Sequence, residues 1–322
     1  MKKLIRSALG GDVTAIARLI TLAEAAGETA LEVQNEVFPN AGRAHLLGIT
    51  GPAGAGKSTL ISKLAAKLAS PEQKVAVIAC DPSSPNTGGA LLGDRIRMND
   101  LVHDARIFIR SIATRDSTGG LPLTAFRAAD ILDASGFGTV IIETVGTGQN
   151  QVDIMQAAHT IIAVSAPGLG DDIQAMKSGL LEVADIHVVS KSDLHGAGKT
   201  LMDIGNAVRM RQKNTLHDSA MGDDGQRGWT PEVLPVNSLA GEGINELQQA
   251  VDAHYHFLQE GDNMQRRCRR MFRERVYREA IDMLAQSFKA SPDERLSRRI
   301  EQMLQREITP TRAAQEFLKG IL

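Results

Sequence analysis

The sequence predicts an α/β fold in which a mainly parallel sheet is flanked by helices and extended by helical segments at both ends. Between about residues 44 and 262, short apolar runs alternate with stretches of helical periodicity, as expected for parallel strands covered on both faces. Outside this range the strand signal is absent. We therefore divide the chain into a helical N-terminal extension (1–42), an α/β domain (43–260) and a helical C-terminal segment (261–322).

The elements can be assigned in chain order. The N-terminal extension carries helical patterns over residues 11–26 and 28–37, and Pro39 and Gly42 then break the periodicity. The first pattern predicts one buried face formed by Val13, Ile16, Ala17 and Ile20. In the α/β domain the predicted strands are 45–50, 74–80, 106–110, 139–144, 160–165, 186–190 and, more weakly, 233–236. The predicted helices are 57–69, 121–135, 198–213 and 243–258.

The C-terminal segment predicts one long helix and then shorter helices that begin near Pro292 and Pro310. Apolar residues recur at every fourth position from Met264 to Phe288 and form a stripe along the long helix. Because an isolated helix cannot bury such a stripe, we expect it to pack on the α/β domain or on a second subunit. Seven arginines between Arg266 and Arg278 form either a solvated face or a site for an anionic partner.

Composition excludes several classes of protein. Hydrophobic residues make up 43% of the 322 residues, which predicts a packed core rather than a disordered chain. The net charge of −2 lacks the basic excess that general nucleic-acid binders carry. Cys80 and Cys268 are too far apart to suggest a disulfide framework or a zinc cluster. Neither a signal peptide nor an apolar run of roughly 18 residues is present, so we expect a cytoplasmic protein without a membrane partner.

A phosphate-binding motif follows the first predicted strand. Residues 51–59 match G-x-x-x-x-G-K-[ST], the P-loop of nucleotide-binding proteins. Glycines let backbone amides wrap phosphate groups, and the following helix points the positive end of its dipole at them. We expect Lys57 to contact the β- and γ-phosphates and the Ser58 hydroxyl to bind Mg²⁺. The predicted nucleotide contacts in this stretch are Gly51, Pro52, Ala53, Gly54, Ala55, Gly56, Lys57, Ser58 and Thr59.

Three carboxylates lie where phosphoryl transfer places a ligand for Mg²⁺. Glu143 ends a predicted strand and opens a Glu-Thr-Val-Gly sequence. Asp81 follows a second strand in Asp-Pro-Ser-Ser-Pro, and Asp94 lies in Gly-Asp-Arg-Ile-Arg-Met. Aspartates also cap helices and turns, which is the alternative role for the last two. The expected metal site is formed by Ser58, Asp81, Asp94 and Glu143.

The sequence defines the catalytic residues less completely. Besides Lys57 and Glu143, Gly146 is placed to donate its amide to the γ-phosphate. No obvious general base is present, and Gln149 either orients the attacking water or is a solvated loop residue. Positive charge for the transition state could come from four arginines, each of which could equally be a surface or ion-pair residue: Arg95, Arg97, Arg110 and Arg115. We therefore expect a low intrinsic rate of hydrolysis.

A base-recognition motif follows the strand predicted at 186–190. Ser190-Lys191-Ser192-Asp193 resembles N-K-x-D, with serine in place of asparagine. A carboxylate at Asp193 accepts hydrogen bonds from the N1–H and amino group of guanine, and adenine presents the opposite pattern. Lys191 is expected to lie over the base, and loss of the asparagine amide to weaken affinity. After the weak strand, Asn237-Ser238-Leu239-Ala240 resembles the S-A-[LK] segment that contacts guanine through its backbone, and we expect Ser238, Leu239 and Ala240 to make that contact.

Together these motifs resemble the MeaB/ArgK family of P-loop GTPases over nearly the whole chain. The resemblance includes Gly11-Asp12 with the following helix, Gly51–Thr59, Asp81–Pro85, Gly93–Met98, Glu143–Gly146 and Lys177–Asp185. The combination of Asp-Pro-Ser-Ser-Pro with Gly-Asp-Arg-Ile-Arg-Met is its most specific part. In two places the sequence departs from the family pattern. Ser190 replaces the usual asparagine, and Thr147 and Asn150-Gln151 stand where Val and Ser-Glu are more frequent.

The resemblance implies a GTP/GDP- and Mg²⁺-dependent chaperone of an adenosylcobalamin-dependent acyl-CoA mutase, typically methylmalonyl-CoA mutase. Such proteins gate cofactor loading and protect the mutase from inactivation. The resemblance also implies a P-loop GTPase domain at 43–260 and a homodimer built partly by the C-terminal helices. It further implies that Lys177–Asp185 belongs to a switch loop that senses the mutase.

Three other functions remain open. A nickel-insertion GTPase would need Cys and His ligands near its switches, but Cys80 stands alone beside Asp81 and the eight histidines form no tight cluster in sequence. A kinase or transport ATPase would prefer adenine, against Lys191 and Asp193. A scaffold that only binds nucleotide would not need the three carboxylates proposed for Mg²⁺.

Overall fold

The computed structural model describes residues 1–25, 27–81, 101, 103–113, 121–144, 154–168, 180–219, 228–290 and 293–318. The described helices are α1 (Lys2–Leu9), α2 (Val13–Glu24), α3 (Glu28–Val37), α4 (Lys57–Leu68), α5 (Leu123–Ala134), α6 (Leu180–Val183), α7 (Ala197–Ser219), α8 (Ile244–Gln259), α9 (Asn263–Ala290), α10 (Asp293–Leu304) and α11 (Pro310–Leu318). The described strands are β1 (His45–Thr50), β2 (Lys74–Asp81), β3 (Ile107–Ala113), β4 (Phe137–Glu143), β5 (Thr160–Ser165), β6 (Ile186–Ser190) and β7 (Glu232–Val236).

Most elements lie within a few residues of their predicted ranges, and β1, β5 and β6 coincide with them. Two differ more. β3 continues to Ala113 because its pairing with β2 extends beyond the apolar run, as far as Asp81 opposite Ala113. The chain also begins with α1, which was not predicted, and buries Ile5 and Ala8.

The seven described strands form one parallel sheet in the order β3-β2-β4-β1-β5-β6-β7, which confirms the predicted fold class. The chain leaves β1 toward β2 on one side and later crosses from β4 to β5 on the other side of β1. The strand order therefore reverses beside β1. In open α/β sheets, ligands bind at the carboxyl ends of the strands at such a reversal.

The sheet is covered by helices on both faces, and alternate residues of a strand pack into different layers. Val140 and Ile142 of β4 join one core cluster with the N-terminal helices and α5. Ile141 joins the other, with α4 and α8. The second cluster therefore packs α4, the helix that follows the phosphate loop, directly on the sheet.

The N-terminal helices are part of this core. Ile16 and Ile20 are fully buried, as the sequence predicted. Val13 is 55% exposed, so its predicted burial is wrong. Asp12 caps the helix by accepting the amide of Ala15, which leaves Val13 in the first turn at the edge of the buried face. Met1–Met271 form one compact unit. The structure therefore does not mark the boundary between the N-terminal extension and the α/β domain, which stays a prediction.

A buried polar cluster lies at the amino ends of the central strands, at the edge opposite the phosphate loop. The Thr160 hydroxyl lies 2.7 Å from His45 Nε2 and 2.8 Å from His254 Nδ1. Asp185 accepts from Arg267 of α9 at 2.9 Å and from the Ile161 amide at 2.8 Å. The members of the buried polar cluster are His45, His159, Thr160, Asp185, His254 and Arg267. Three histidines thus meet in space although they are distant in sequence.

The second compact unit is Phe272–Leu322, and within it α10 and α11 pack together through an ion pair between Arg299 and Glu316. As predicted, α9 is a single long helix. Its apolar stripe is exposed at Phe272, Val276 and Leu284. Among the described helices, none is both long and apolar enough to cross a membrane.

Candidate nucleotide site

The phosphate loop connects β1 to α4 at the reversal of the strand order. Gly51 has φ +148°, and a Cβ there would lie 2.1 Å from the carbonyl oxygen of Val164 in β5. The chain therefore passes so close to the neighbouring strand that only glycine fits. Gly56, with φ +84°, immediately precedes α4. The motif glycines thus bring the amino end of α4 to the carboxyl edge of the sheet.

Lys57 is buried, and its ammonium group lies over the phosphate loop. Its Nζ donates to the carbonyl oxygens of Gly51 at 3.0 Å and of Pro52 at 3.1 Å. These bonds compensate the charge of a group that would otherwise be costly to bury. The lysine is consequently held within the loop that the motif predicts to bind phosphate.

Ser58 and Glu143 meet across 85 residues of sequence. The Ser58 hydroxyl donates to Glu143 Oε1 at 3.1 Å, and Glu143 is 3% exposed. β1 and β4 pair in register with Ile49 opposite Glu143, and this pairing brings the carboxylate to the start of the loop. Two of the four predicted metal ligands are therefore adjacent.

The other predicted residues of the catalytic and metal sites are less fully placed. Asp81 ends β2, which pairs with β4 so that Ala79 lies opposite Glu143. Asp94, Gly146 and Gln149 lie outside the described residues, as do Arg95, Arg97 and Arg115. Arg110 forms an ion pair with Glu24 of α2 at 2.7 Å, which is the structural alternative that the sequence left open.

A cavity of about 360 Å³ opens beside the phosphate loop. It brings together the end of the loop, the segment after β6 and the segment after β7. Its lining residues are Gly56, Thr59, Ser190, Lys191, Asp193, Leu194, Asn237, Ser238 and Leu239. Of the base-recognition residues predicted here, Lys191, Asp193, Ser238 and Leu239 line the cavity. Ala240 follows them, and its amide donates to Asn237 Oδ1 at 3.3 Å.

The cavity has an apolar side formed by Leu194 and Leu239, of which only Leu239 was predicted. Leu239 is 86% exposed and Leu194 is 47% exposed, although large apolar side chains are usually buried. A planar ring between such side chains would remove them from water. Leu194 could have been found from its position directly after Asp193. Asn237, the first residue of the segment that resembles S-A-[LK], lines the cavity, and its side chain accepts the Ala240 amide.

Two residues after β6 contact the phosphate loop. Lys191 has φ +52°, and its Nζ donates to Gly54 O at 2.9 Å. The Ser190 hydroxyl lies 2.5 Å from Ala55 O and 3.0 Å from Ser165 O. The base-recognition segment and the phosphate loop therefore form one connected structure.

Comparisons with known proteins agree with this architecture. The family model described as "Methylmalonyl Co-A mutase-associated GTPase MeaB" matches residues 16–293. A Pyrococcus abyssi protein described as a GTPase is 40% identical over 324 residues, covering 99% of this chain and 96% of its own length. The "Methylmalonic aciduria type A homolog, mitochondrial" of Caenorhabditis elegans is 27% identical, covering 99% of this chain and 82% of its own.

Among solved structures, one described as an LAO/AO transport system kinase superposes with a TM-score of 0.67. It is 24% identical and covers 99% of this chain and 97% of its own. At this identity the likeness shows the fold alone. The match to the family model and the relative at 40% identity show more: the chain belongs to the MeaB family of methylmalonyl-CoA mutase-associated GTPases.

Proposed function

We propose that the chain binds GTP with Mg²⁺ at this site and hydrolyses it slowly to control a chaperone function toward an adenosylcobalamin-dependent methylmalonyl-CoA mutase. The assistance consists of gating cofactor loading and of protecting or reactivating the mutase. One observation carries the nucleotide part: Lys57, the Ser58–Glu143 pair and the cavity beside Asp193 adjoin one phosphate loop. The family description and the name of the Caenorhabditis elegans relative support the mutase part.

The loop and α4 supply the phosphate contacts in this proposal. The backbone amides of the loop, other than Pro52, which has none, precede or begin α4, and the dipole at a helix amino end favours an anion. Lys57 exchanges its bonds to Gly51 and Pro52 for bonds to the β- and γ-phosphates. This exchange keeps the buried ammonium group compensated throughout.

The Ser58–Glu143 pair suits Mg²⁺ because this ion prefers oxygen ligands and keeps several waters. The two oxygens lie 3.1 Å apart, one in the first turn of α4 and the other at the end of β4. We infer that Ser58 and Glu143 hold the ion, with Asp81 and Asp94 completing the set. The ion would neutralise negative charge on the phosphates. Gly146 and Gln149 keep their proposed roles of binding the γ-phosphate and orienting water.

Asp193 supplies the selection for guanine. Its carboxylate can accept from both guanine donors on one edge, whereas adenine would leave it facing another acceptor. Lys191 and the exposed leucines would cover the ring, and the Leu239 and Ala240 backbone would complete the contact. This arrangement favours a GTPase over the kinase or transport ATPase.

Residues 261–322 are proposed to build a homodimer in the cytoplasm. Phe272, Val276 and Leu284 of the apolar stripe are exposed on α9, and burying such side chains would stabilise an interface. Val276→Asp should therefore shift the protein from dimer to monomer in sedimentation velocity. Ala285→Asp, at an exposed position on the side of α9 away from Val276, adds the same single charge and should leave the dimer intact. A monomeric wild type would contradict the dimer.

Complex formation tests the partner. The purified chain should elute with methylmalonyl-CoA mutase in gel filtration, and the amount of complex should differ between GDP and a non-hydrolysable GTP analogue. Lys57→Ala removes phosphate contacts, so this variant should bind nucleotide weakly and its complex should not respond to it. Lys67→Ala, at the far end of α4, should behave as wild type. Absence of a complex in every nucleotide state would contradict the mutase assignment.

A further inference from the structure

Ser190 stands where the base-recognition motif usually has asparagine, and it is buried beside the phosphate loop. It ends β6 and is 2% exposed, and its hydroxyl lies between the phosphate loop and the end of β5. We propose that Ser190 is a positioning residue: its hydroxyl fixes the Ala55–Gly56 peptide of the phosphate loop, so that it supports phosphate binding rather than base selection. This inference rests on the proposed nucleotide site.

The two carbonyl contacts are unequal. A serine hydroxyl has one hydrogen to donate, and Ala55 O at 2.5 Å is closer than Ser165 O at 3.0 Å. We therefore assign the hydrogen to Ala55 O, the nearer acceptor. Ser190 itself is positioned by the sheet, because its neighbour Val189 pairs with Ser165 of β5 and Ser190 pairs with Val236 of β7.

Holding Ala55 O determines where the next amide points. In a planar trans peptide the C=O and the following N–H point in opposite directions. With Ala55 O directed at Ser190, the Gly56 amide is directed away from β6. Gly56 is the last residue before α4, so its amide adjoins the helix amino end that the anion would occupy.

Two further observations strengthen the link. Lys191 holds the preceding carbonyl, Gly54 O, at 2.9 Å, so consecutive peptides are fixed from the same segment. A Cβ built at Gly56 would lie 3.8 Å from Ser190 Oγ, so the loop packs directly on the serine. The serine accordingly supplies a loop contact through a side chain short enough for this packing.

Binding measurements on wild type, Ser190→Ala and Ser190→Thr test the proposal with GDP, ADP and guanosine. Loss of one buried hydrogen bond that orients an amide should weaken GDP binding by about tenfold in the alanine variant. ADP should weaken by the same factor, so the GDP-to-ADP ratio should not change. Guanosine lacks phosphates and should bind within about twofold of wild type. Threonine keeps the hydroxyl and should restore GDP binding.

Ser192→Ala is the matched control, because it removes a hydroxyl from the same segment outside the cavity lining. It should leave GDP binding unchanged. The proposal is overturned if Ser190→Ala binds GDP within twofold of wild type, or if threonine fails to restore binding. It is also overturned if guanosine loses the same factor as GDP, or if the GDP-to-ADP ratio falls. A wild type that prefers ADP would contradict guanine selection by Asp193 while the Ser190 comparison remained valid.

Discussion

Three polar side chains of the site already form hydrogen bonds within the protein. Lys57 is bonded to two loop carbonyls, Ser58 to Glu143, and Lys191 to Gly54. Such bonds restrict these side chains to few conformations, so less conformational entropy is lost when a ligand orders them. They must also be exchanged when the ligand binds, so the affinity reflects the difference between two sets of bonds.

Asp193 gives the sharpest prediction at this scale. In Asp193→Asn one acceptor becomes an amide donor, which opposes the guanine amino group but matches the carbonyl at the same position of xanthine. GTP affinity should fall by at least about 100-fold and XTP affinity should rise. Competition binding with GTP, XTP and ATP measures this. Asp203→Asn, an exposed aspartate on α7, should change none of the three affinities.

Unchanged discrimination in Asp193→Asn would show that another group reads the base. The backbone of Leu239 and Ala240 would then be the first candidate, because that segment borders the cavity from the other side.

Single residues also show what the sequence could predict. The phosphate loop was predictable because its contacts lie within nine consecutive residues, whose spacing is itself the signal. Ser58 and Glu143 were each predicted as metal ligands from their motifs, but their contact depends on the pairing of β1 with β4, a strand order that the alternating pattern does not specify. The contact of Ser190 with Ala55 joins residues 135 positions apart and depends on where the end of β6 lies against the phosphate loop, so the motif could not predict it. The weaker nucleotide affinity was expected from the lost asparagine amide alone, and it stays a prediction.

At the scale of elements, the buried polar cluster joins strands β1, β5 and β6 to helices α8 and α9. Burial holds the pKa of His45 well below its ordinary value, helped by the nearby His159 and His254. Burial and the charge of Arg267 lower the pKa of His159 to about 4. Burial lowers that of His254 to about 4 as well, although Asp185 opposes the change. His159 Nδ1 accepts the amide of Leu46, which requires that nitrogen to be unprotonated.

These lowered pKa values predict a loss of stability in mild acid. The folded histidines stay neutral, whereas the unfolded chain takes up protons below about pH 6.5, so the stabilisation is present above that pH. It should decline as pH falls toward about 4, by at most about 1.4 kcal/mol per pH unit for each histidine. Urea unfolding at about pH 7, 6 and 5 measures the slope. The Cys268 thiol, whose pKa is raised by burial, stays neutral throughout.

His159→Asn isolates one of these groups, because asparagine can accept the Leu46 amide without titrating. The variant should show a shallower decline between pH 6.5 and 5 than wild type. His256→Asn, an exposed histidine on α8, should keep the wild-type slope. Equal slopes for wild type and both variants would mean that His159 is not a source of the pH dependence.

Helix and strand boundaries that depend on local sequence were predictable, whereas those that depend on contacts with distant residues were not. Helices α2 and α3 and most strands were predictable because their periodicity is local. The end of β3 depends on its ladder with β2, and the exposure of Val13 depends on where Asp12 caps α2. The buried polar cluster was not predicted because its three histidines are far apart in sequence and come together only in the fold. Among the described residues, no group of three or more His, Cys, Asp or Glu side chains could hold a metal ion, although the cluster contains three histidines.

At the scale of the whole molecule, the proposed function assigns nucleotide binding to the carboxyl edge of the sheet and dimerisation to the C-terminal helices. Asp185, the last residue of the segment that resembles a mutase-sensing switch, is bonded to Arg267 at the start of α9. We therefore expect a change in that segment to reach α9. Which residues contact the proposed mutase partner could not be predicted from residue patterns, and only the family resemblance points to Lys177–Asp185.

The decisive measurement is GTP hydrolysis with and without purified methylmalonyl-CoA mutase, with ATP as the control nucleotide. We expect slow turnover of GTP by the chain alone, faster turnover when the mutase is added, and little turnover of ATP in either case. Slow GTP turnover that the mutase leaves unchanged would contradict the mutase partner but retain the GTPase. Preferential turnover of ATP would contradict the proposed guanine site itself.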